Sequence, residues 1–458
     1  MVSVMNSLYE RIKGYILTKL FIFISLYLAV RSDFILTKLS LLALRITKRA
    51  HYKERIIWIR DLFEQQHPSI KVIKKILGET HPRQREQLIK TFFVNQLLLG
   101  SNKRKKFSER KDGFYPPGFM VISPSMKCNL NCYGCYAGSY SNDSELGFDD
   151  IDRILNEGKE MGMFFAVISG GEPFISKDML RIYEKHSDIA FHVYTNGSFI
   201  DEKMADKIGE LGNILPAISV EGFEEETDAR RGSGQYEKVM EAMRLLKERK
   251  LLFGFSATQT RLNSDLITSD RFVDHFIKQG CTVGWYFMYV PIGREPNLQL
   301  FPTPEQRDRL RKRVAYIRNN KPILIGDFWN DGPVVGGCIA GGRKYFHINA
   351  LGDVEPCVFC HFALDNIKNK PLKEALNSPM FQRIRQTIRE NPNKLRPCMI
   401  VDHPEVYREA SSFDGVYFTH EGADQVINDL VGDLDSYSAE YGIIADSVWE
   451  KEFNNGIK

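Results

Sequence analysis

The sequence lacks a clean apolar run of the length that crosses a bilayer. Its nearest approach, Tyr15 to Val30, is 16 residues and is interrupted by Lys19, against the roughly 20 that a spanning helix needs. No small-residue cleavage site follows it, only Arg31 and a second apolar stretch from Phe34 to Ile46 with Lys38 and Arg45, so a cleaved secretory signal is not expected. Internal repeats and low-complexity tracts are absent, which excludes solenoid and fibrous designs. Acids are scarce at the start: residues 1–60 hold eleven Lys or Arg against Glu10, Asp33 and Glu54, a net +8, so the rest carries −4 of the overall +4. Cysteine is also sparing, eight in 458 residues, and seven of them fall in two groups. Spacings that short make disulfides within a group awkward and favour metal ligation.

With 43% apolar and 26% charged residues, the chain can bury one large catalytic domain with appendages. The basic, apolar residues 1–60 read as interfacial helices lying on an anionic membrane surface. Packing on the protein itself or on a second subunit is the alternative, and a tilted single span with a snorkelling Lys19 is another. Residues 61–115 read as a helical connector ending in a basic knot, Lys103 to Lys111, and Pro116-Pro117 marks a boundary.

From there apolar runs alternate with amphipathic stretches. Strands are expected at Phe119–Ser123, Phe164–Ser169, Ala190–Thr195, Ile214–Val220, Phe253–Gln259 and Thr282–Val290. The intervening helices start near Asp149, Lys177, Asp201, Tyr236, Ser269 and Pro304. Continuous apolar strands separated by helices imply a parallel sheet covered on its outside. The expected fold class is α/β: a partial (β/α)6 barrel over residues 116–335, with an N-terminal helical region, a small C-terminal cysteine-rich hairpin extension over 336–403 and a tail over 404–458 in which Asp424 to Tyr441 reads as a helix.

Motifs recur where strands end, the place where βα architectures collect their active sites. Cys128, Cys132 and Cys135 follow the first strand as C-x3-C-x2-C, Gly170-Gly171-Glu172-Pro173 follows the second, Asn196-Gly197 the third and Glu221-Gly222 the fourth. Three soft thiolates on one short loop suit three irons of a cubane and leave the fourth open. A zinc site completed by His192 or a remote cysteine is the alternative.

This arrangement resembles the radical S-adenosylmethionine (SAM) superfamily. The resemblance implies a [4Fe–4S] cluster on Cys128, Cys132 and Cys135 and a bound SAM. It implies that Gly170, Gly171, Glu172 and Pro173 contact the amino group of SAM, through Glu172 or nearby carbonyls. Ser219 and Arg231 resemble a pair that holds the SAM carboxylate, and Asn196 a further lining element; a turn is the alternative for Asn196, and a strand-end Ser and surface Arg for the pair. Many family members have an aromatic residue where Gly134 stands, so Tyr133 or Tyr136 would have to replace its contact with adenine.

The second group is Cys338, Cys357, Cys360 and Cys398. Tyr345 to Cys357 reads as strand, tight turn at Gly352, strand, which would bring Cys357 towards Cys338. This resembles the start of the SPASM extension of radical SAM enzymes. A complete module carries more cysteines, so the four here imply one auxiliary [4Fe–4S] cluster; zinc stays open as the alternative, and His361 and His403 as alternative ligands. Cys281 reads as core.

The resemblance implies an enzyme that reductively cleaves SAM to a 5′-deoxyadenosyl radical, which takes hydrogen from a substrate C–H bond. It implies a low-potential donor such as ferredoxin or flavodoxin as a partner, and its strongly reducing cluster a cytoplasmic location; the basic apolar N-terminus adds a peripheral place on the membrane face. The basic apolar N-terminus makes a membrane lipid the leading substrate. A peptide or protein is the alternative, and a non-catalytic iron–sulfur carrier or scaffold the reading from another class. Nucleic acid is not an expected partner.

Overall fold

A computed structural model describes residues 14–24, 26–27, 33–46, 50–111 and 113–454. Seven parallel strands form its centre: β1 (Met120–Ile122), β2 (Phe165–Ile168), β3 (Ala190–Thr195), β4 (Ile214–Val220), β5 (Gly254–Gln259), β6 (Val283–Met288) and β7 (Leu324–Asp327). They pair in chain order, as successive right-handed crossovers through helices require. The outer side of the sheet is sealed by helices whose apolar stripes face inward, for example Ile151, Ile154 and Leu155 of Phe148–Met161, and Phe272, Val273 and Phe276 of Asp270–Gln279. Local chemistry sets their ends. The Asp201 side chain caps the Met204 N–H, Thr303 and Gln306 form a capping box, and Gly162, Gly212 and Gly280 close helices in the left-handed region.

The sheet continues past β1 into the cysteine-rich extension. There β8 (His347–Ile348) pairs with β1 in parallel and β9 (Asp353–Glu355) with β8 antiparallel. The expected hairpin therefore joins the barrel sheet as its continuation. A short pair, β10 (Phe362–Ala363) with β12 (Tyr417–Phe418), lies apart, and β11 (Asp365–Asn366) edges the main sheet.

Six strands were expected and a seventh, β7, is present. Its sequence LIGD is four residues long with Gly326 inside it, too short and too interrupted to stand out from a loop. The helix Glu224–Arg231 was also not expected. It has no apolar stripe and is fixed by the Glu226 carboxylate accepting from the Phe223 N–H at 2.9 Å. The tail helix runs Val431–Val448, seven residues later than expected at its C-terminal end. Its buried face passes through Ser438, Gly442 and Ala445, small residues that hide the stripe.

The end of the first apolar run, residues 28–30, with Arg31, lies outside the described residues. Residues 14–24 and Asp33–Ile46 are helical. They are tied to the body by Lys19–Glu86 at 2.9 Å and Lys74–Asp33 at 2.5 Å. Among the described residues no helix is long and apolar enough to cross a membrane. Tyr15, Ile16, Phe23, Phe34, Leu42 and Trp58 are nonetheless exposed.

Candidate active site

Gly170, Gly171 and Asn196 of the strand-end motifs, with Ser219 and Arg231, line one cavity of about 970 Å³, and so do all seven clustered cysteines; Glu221 and Gly222 stand behind it. Cys128, Cys132 and Cys135 stand at the mouth above β1; Cys338, Cys357, Cys360 and Cys398 form a wall on the side of β8 and β9. Every cysteine is free. Cys281 is not among the liners and is buried in the core.

The mouth is assembled by backbone contact. Gly171 donates to the Ser125 carbonyl at 2.9 Å and Glu172 to the Lys127 carbonyl at 2.8 Å, so the GGEP segment lies directly against the start of the cysteine loop. A Cβ on Gly171 would come within 2.2 Å of the Lys127 oxygen, which is why glycine is required there. The Glu172 carboxylate faces away from the cavity. It accepts from the Asn196 N–H at 2.7 Å, the Thr195 hydroxyl at 2.8 Å and the Phe174 N–H at 3.1 Å. Burial pushes its pKa up while these bonds hold it down. Glu172 thus clamps the end of β2 to the end of β3, and with its oxygens engaged the nearby carbonyls are the acceptors left for an ammonium. Pro173 starts the short turn behind it. Asn196 reaches the cysteine loop, donating to Asn129 Oδ1 at 2.8 Å.

Ser219 lies on β4 with its hydroxyl 3.3 Å from that of Ser256. Arg231 is held by Glu221, which accepts from its Nε at 2.8 Å and its Nη2 at 2.6 Å. Arg230 shares the same carboxylate at 2.7 Å and donates to the carbonyls of Tyr133 and Gly134. Glu221 and Arg230 were not singled out for this task from sequence. The signal for them was charge at the end of β4: a buried acid with two arginines on the following helix. Burial raises the Cys132 thiol pKa, and Arg231 opposes it.

Gly134 has φ +63, and a Cβ there would meet the Tyr289 ring at 2.8 Å. Tyr289, from the end of β6, fills the place a side chain at 134 would take. Tyr133 is turned outward beside Asn297, whereas Tyr136 and Tyr289 line the cavity. Tyr136 packs on Phe359 with ring centroids 5.2 Å apart, joining the mouth to the second cysteine wall.

That wall is drawn from distant segments. The Tyr345 hydroxyl lies 2.9 Å from Cys357 Sγ, Arg343 Nε donates to the Cys338 carbonyl at 2.6 Å, and the Cys398 N–H donates to Asp402 at 2.9 Å. Burial raises the Cys338 thiol to about 12 and pushes Cys398 up further. For Cys357 burial acts in the same direction, but hydrogen bonds from Cys360 and Tyr345 outweigh it. Four soft donors facing a cavity, Cys357 and Cys360 buried and Cys338 and Cys398 partly buried, suit a cluster that supplies the compensating charge.

Each histidine offered as an alternative ligand makes contacts of its own, although each keeps its Nε2 without a partner. His192 sits four residues below Asn196, packed against Tyr194 and Trp285. His361 bonds His420 at 2.8 Å and His403 bonds Glu405 at 3.2 Å. Among the described residues no three His, Cys, Asp or Glu side chains close on a single point as one zinc ion needs. A cubane binds each thiolate on its own iron and takes sulfurs set further apart.

Comparison with known proteins places residues 122–256 in the radical SAM superfamily and residues 338–399 in SPASM, an iron–sulfur cluster-binding domain. The AdoMet-dependent heme synthase of Methanosarcina barkeri is 24% identical over 311 residues, covering 61% of this chain and 86% of that protein. The mycofactocin maturase MftC of Mycolicibacterium smegmatis is 29% identical over 247 residues, 51% of this chain and 62% of that one. Among solved structures, Streptococcus suis SuiB bound to S-adenosylmethionine is similar in fold, with TM-score 0.54 and 19% identity over 69% of this chain and 77% of that one.

Proposed function

Because this chain is a radical SAM enzyme carrying a SPASM extension, we propose that it modifies a peptide or protein substrate by hydrogen-atom abstraction inside the barrel. The radical SAM domain works with a [4Fe–4S] cluster and SAM, and the SPASM domain with auxiliary iron–sulfur. Cys128, Cys132 and Cys135 would hold the first cluster; Cys338, Cys357, Cys360 and Cys398 would hold one auxiliary cluster. When bound, the first cluster supplies the electron that cleaves SAM to the 5′-deoxyadenosyl radical.

The remaining work falls to the protein. Carbonyls of the 170–173 segment receive the SAM ammonium, with Glu172 fixing their position. Ser219 and Arg231 orient the carboxylate, and Glu221 sets the angle of the guanidinium. Tyr136 and Tyr289 flank the adenine where Gly134 leaves room. Aromatic walls exclude water and so protect a radical from quenching.

The observation that carries this reading is the single cavity bordered by both cysteine groups. A substrate in it lies between the site where a hydrogen atom is removed and a second redox centre. A solved structure of similar fold, SuiB, is bound to a precursor peptide, which favours a peptide over a free lipid. A second reading, an apolar substrate drawn from a membrane, is favoured by the exposed Phe23, Phe34 and Trp58 among basic residues. It would place the enzyme peripherally on an anionic bilayer face, reduced by a flavodoxin- or ferredoxin-type donor.

The test is anaerobic turnover of the cluster-loaded enzyme with SAM and a low-potential reductant. 5′-Deoxyadenosine is measured against peptide and lipid fractions in parallel. Peptide-dependent formation with a matching mass change is expected. Stimulation by the lipid fraction alone would replace this reading with the second.

A further inference from the structure

Two residues that line the cavity each carry a buried ring nitrogen without a partner: His192 Nε2 and Trp285 Nε1. They belong to facing strands, β3 and β6, and their rings are 5.8 Å apart between centroids. His192 is only 9% exposed. Their surroundings are aromatic, with Phe165 and Tyr194 against the imidazole. A buried donor or acceptor left unpaired is costly and calls for a partner.

The chemistry of the two atoms is complementary. The Leu215 backbone accepts a hydrogen bond from the His192 ring, and burial keeps the ring neutral at pH 7. The ring proton is thereby committed, and Nε2 presents a lone pair. Trp285 Nε1 can only donate. The pair thus offers one acceptor and one donor, both uncharged. A carboxylate would meet the lone pair of Nε2, and an ester has no N–H to give it. A carboxamide satisfies both.

We infer that His192 and Trp285 form a subsite on the barrel floor that binds a neutral amide of the substrate, N–H to His192 Nε2 and C=O to Trp285 Nε1–H. This rests on the peptide reading and deepens it. The amide is a primary one, an Asn or Gln side chain, because a trans peptide bond points its N–H and C=O in opposite directions and cannot give both to neighbouring rings. His192 lies four residues below Asn196 on β3, about 13 Å at ~3.3 Å per residue, so the subsite grips a part of the substrate remote from the mouth. Binding energy gathered there can hold the reacting carbon in place.

The test uses full-length, cluster-loaded protein with SAM, titrated calorimetrically with phenylacetamide, methyl phenylacetate and phenylacetate. Phenylacetamide should bind about tenfold more tightly than either, the worth of two net hydrogen bonds in a dry site. His192→Phe and Trp285→Phe should each remove that preference while keeping SAM affinity and cluster absorbance. Equal binding of amide and ester by the unaltered enzyme, which needs no variant to interpret, overturns the proposal and leaves ordered water as the occupant. Absence of binding by all three, or a preference that survives both substitutions, overturns it as well. Peptide modification without amide preference would sink the subsite alone. Amide preference without any peptide modification would sink the peptide reading and leave the subsite standing.

Discussion

The two cysteine sites share a cavity but are built in opposite ways. Cys128, Cys132 and Cys135 sit within one loop, and the fold has only to bring Asn196, Arg230 and Arg231 to it. Cys338, Cys357, Cys360 and Cys398 come from the loop before a hairpin, the turn after it and a loop far downstream, and meet only when the whole extension has folded. Their electrostatics differ too. At the mouth, Arg231 and Arg230 oppose the effect of burial on Cys132. In the wall, Asp402 adds to the effect of burial on Cys398. A local loop beside cations is prepared to meet a metal early, whereas the wall depends on tertiary structure and on the metal itself.

The sharpest way to break this comparison is to remove one thiol from each site. Cys132→Ala should abolish 5′-deoxyadenosine formation, a loss of at least about a thousandfold, and roughly halve the iron per chain, as expected for one cubane of two. Cys360→Ala should lose a similar share of iron yet keep SAM cleavage within about tenfold, while modified product disappears. Iron analysis with parallel assays of 5′-deoxyadenosine and product separates the two. Equal loss of SAM cleavage in both variants would mean that the sites do not divide the chemistry.

A smaller effect should come from the scaffold of the wall. Arg307 on helix Pro304–Asn320 and Asp402 are fully buried and paired at 2.6 Å, and the other Asp402 oxygen accepts from the Cys398 N–H. Arg307 also lies over the Tyr441 ring at 3.7 Å. Asp402→Ala leaves a buried guanidinium uncompensated, which typically costs about 3–5 kcal/mol. Thermal melting should show that loss, and auxiliary iron should be released before iron at the mouth. Replacing both partners, Arg307→Met with Asp402→Leu, should recover much of the stability but not the bond to Cys398. A double variant that keeps its auxiliary iron as well as the unaltered enzyme does would show that this bond is dispensable.

The contrast also explains what could be read from sequence. The mouth was legible because its parts are short motifs placed after apolar runs, and the order of βα units puts strand ends together. Six strands were legible for the same reason. What escaped depends on contacts that no local pattern carries. β7 has too few apolar residues to announce itself. The role of Glu172 as a clamp appears only when Thr195 and Asn196 are in place beside it. Glu221 binds arginines nine and ten residues away, and its charge alone did not say that it would be buried. Gly134 read as an oddity until Tyr289, from a strand far along the chain, was seen to occupy its space.

The smallest effect concerns the cavity wall that the two sites share. Burial holds His192 at about 4, below the roughly 6.5 it has when unfolded, and pushes Asp327 up to about 6 from roughly 3.8. Between pH 4 and 6 the unfolded chain takes a proton on His192 that the folded chain refuses, so this group lowers stability as pH falls. Over the same window the folded chain keeps a proton on Asp327 that the unfolded chain gives up, so that group raises stability as pH falls. The slopes are opposite and close in size, each about 3 kcal/mol across the window as an upper bound at ~1.4 kcal/mol per unit. The unaltered enzyme should therefore show a nearly flat melting temperature over this range. His192→Phe should expose the Asp327 slope, with stability falling as pH rises from 4 to 6. Asp327→Asn should expose the opposite one, with stability lost as pH falls below about 6.5. Melting curves at half-unit steps decide it: two variants that slope in the same direction would show that these groups do not set the acid response, and that it belongs to the cysteine wall with its carboxylates.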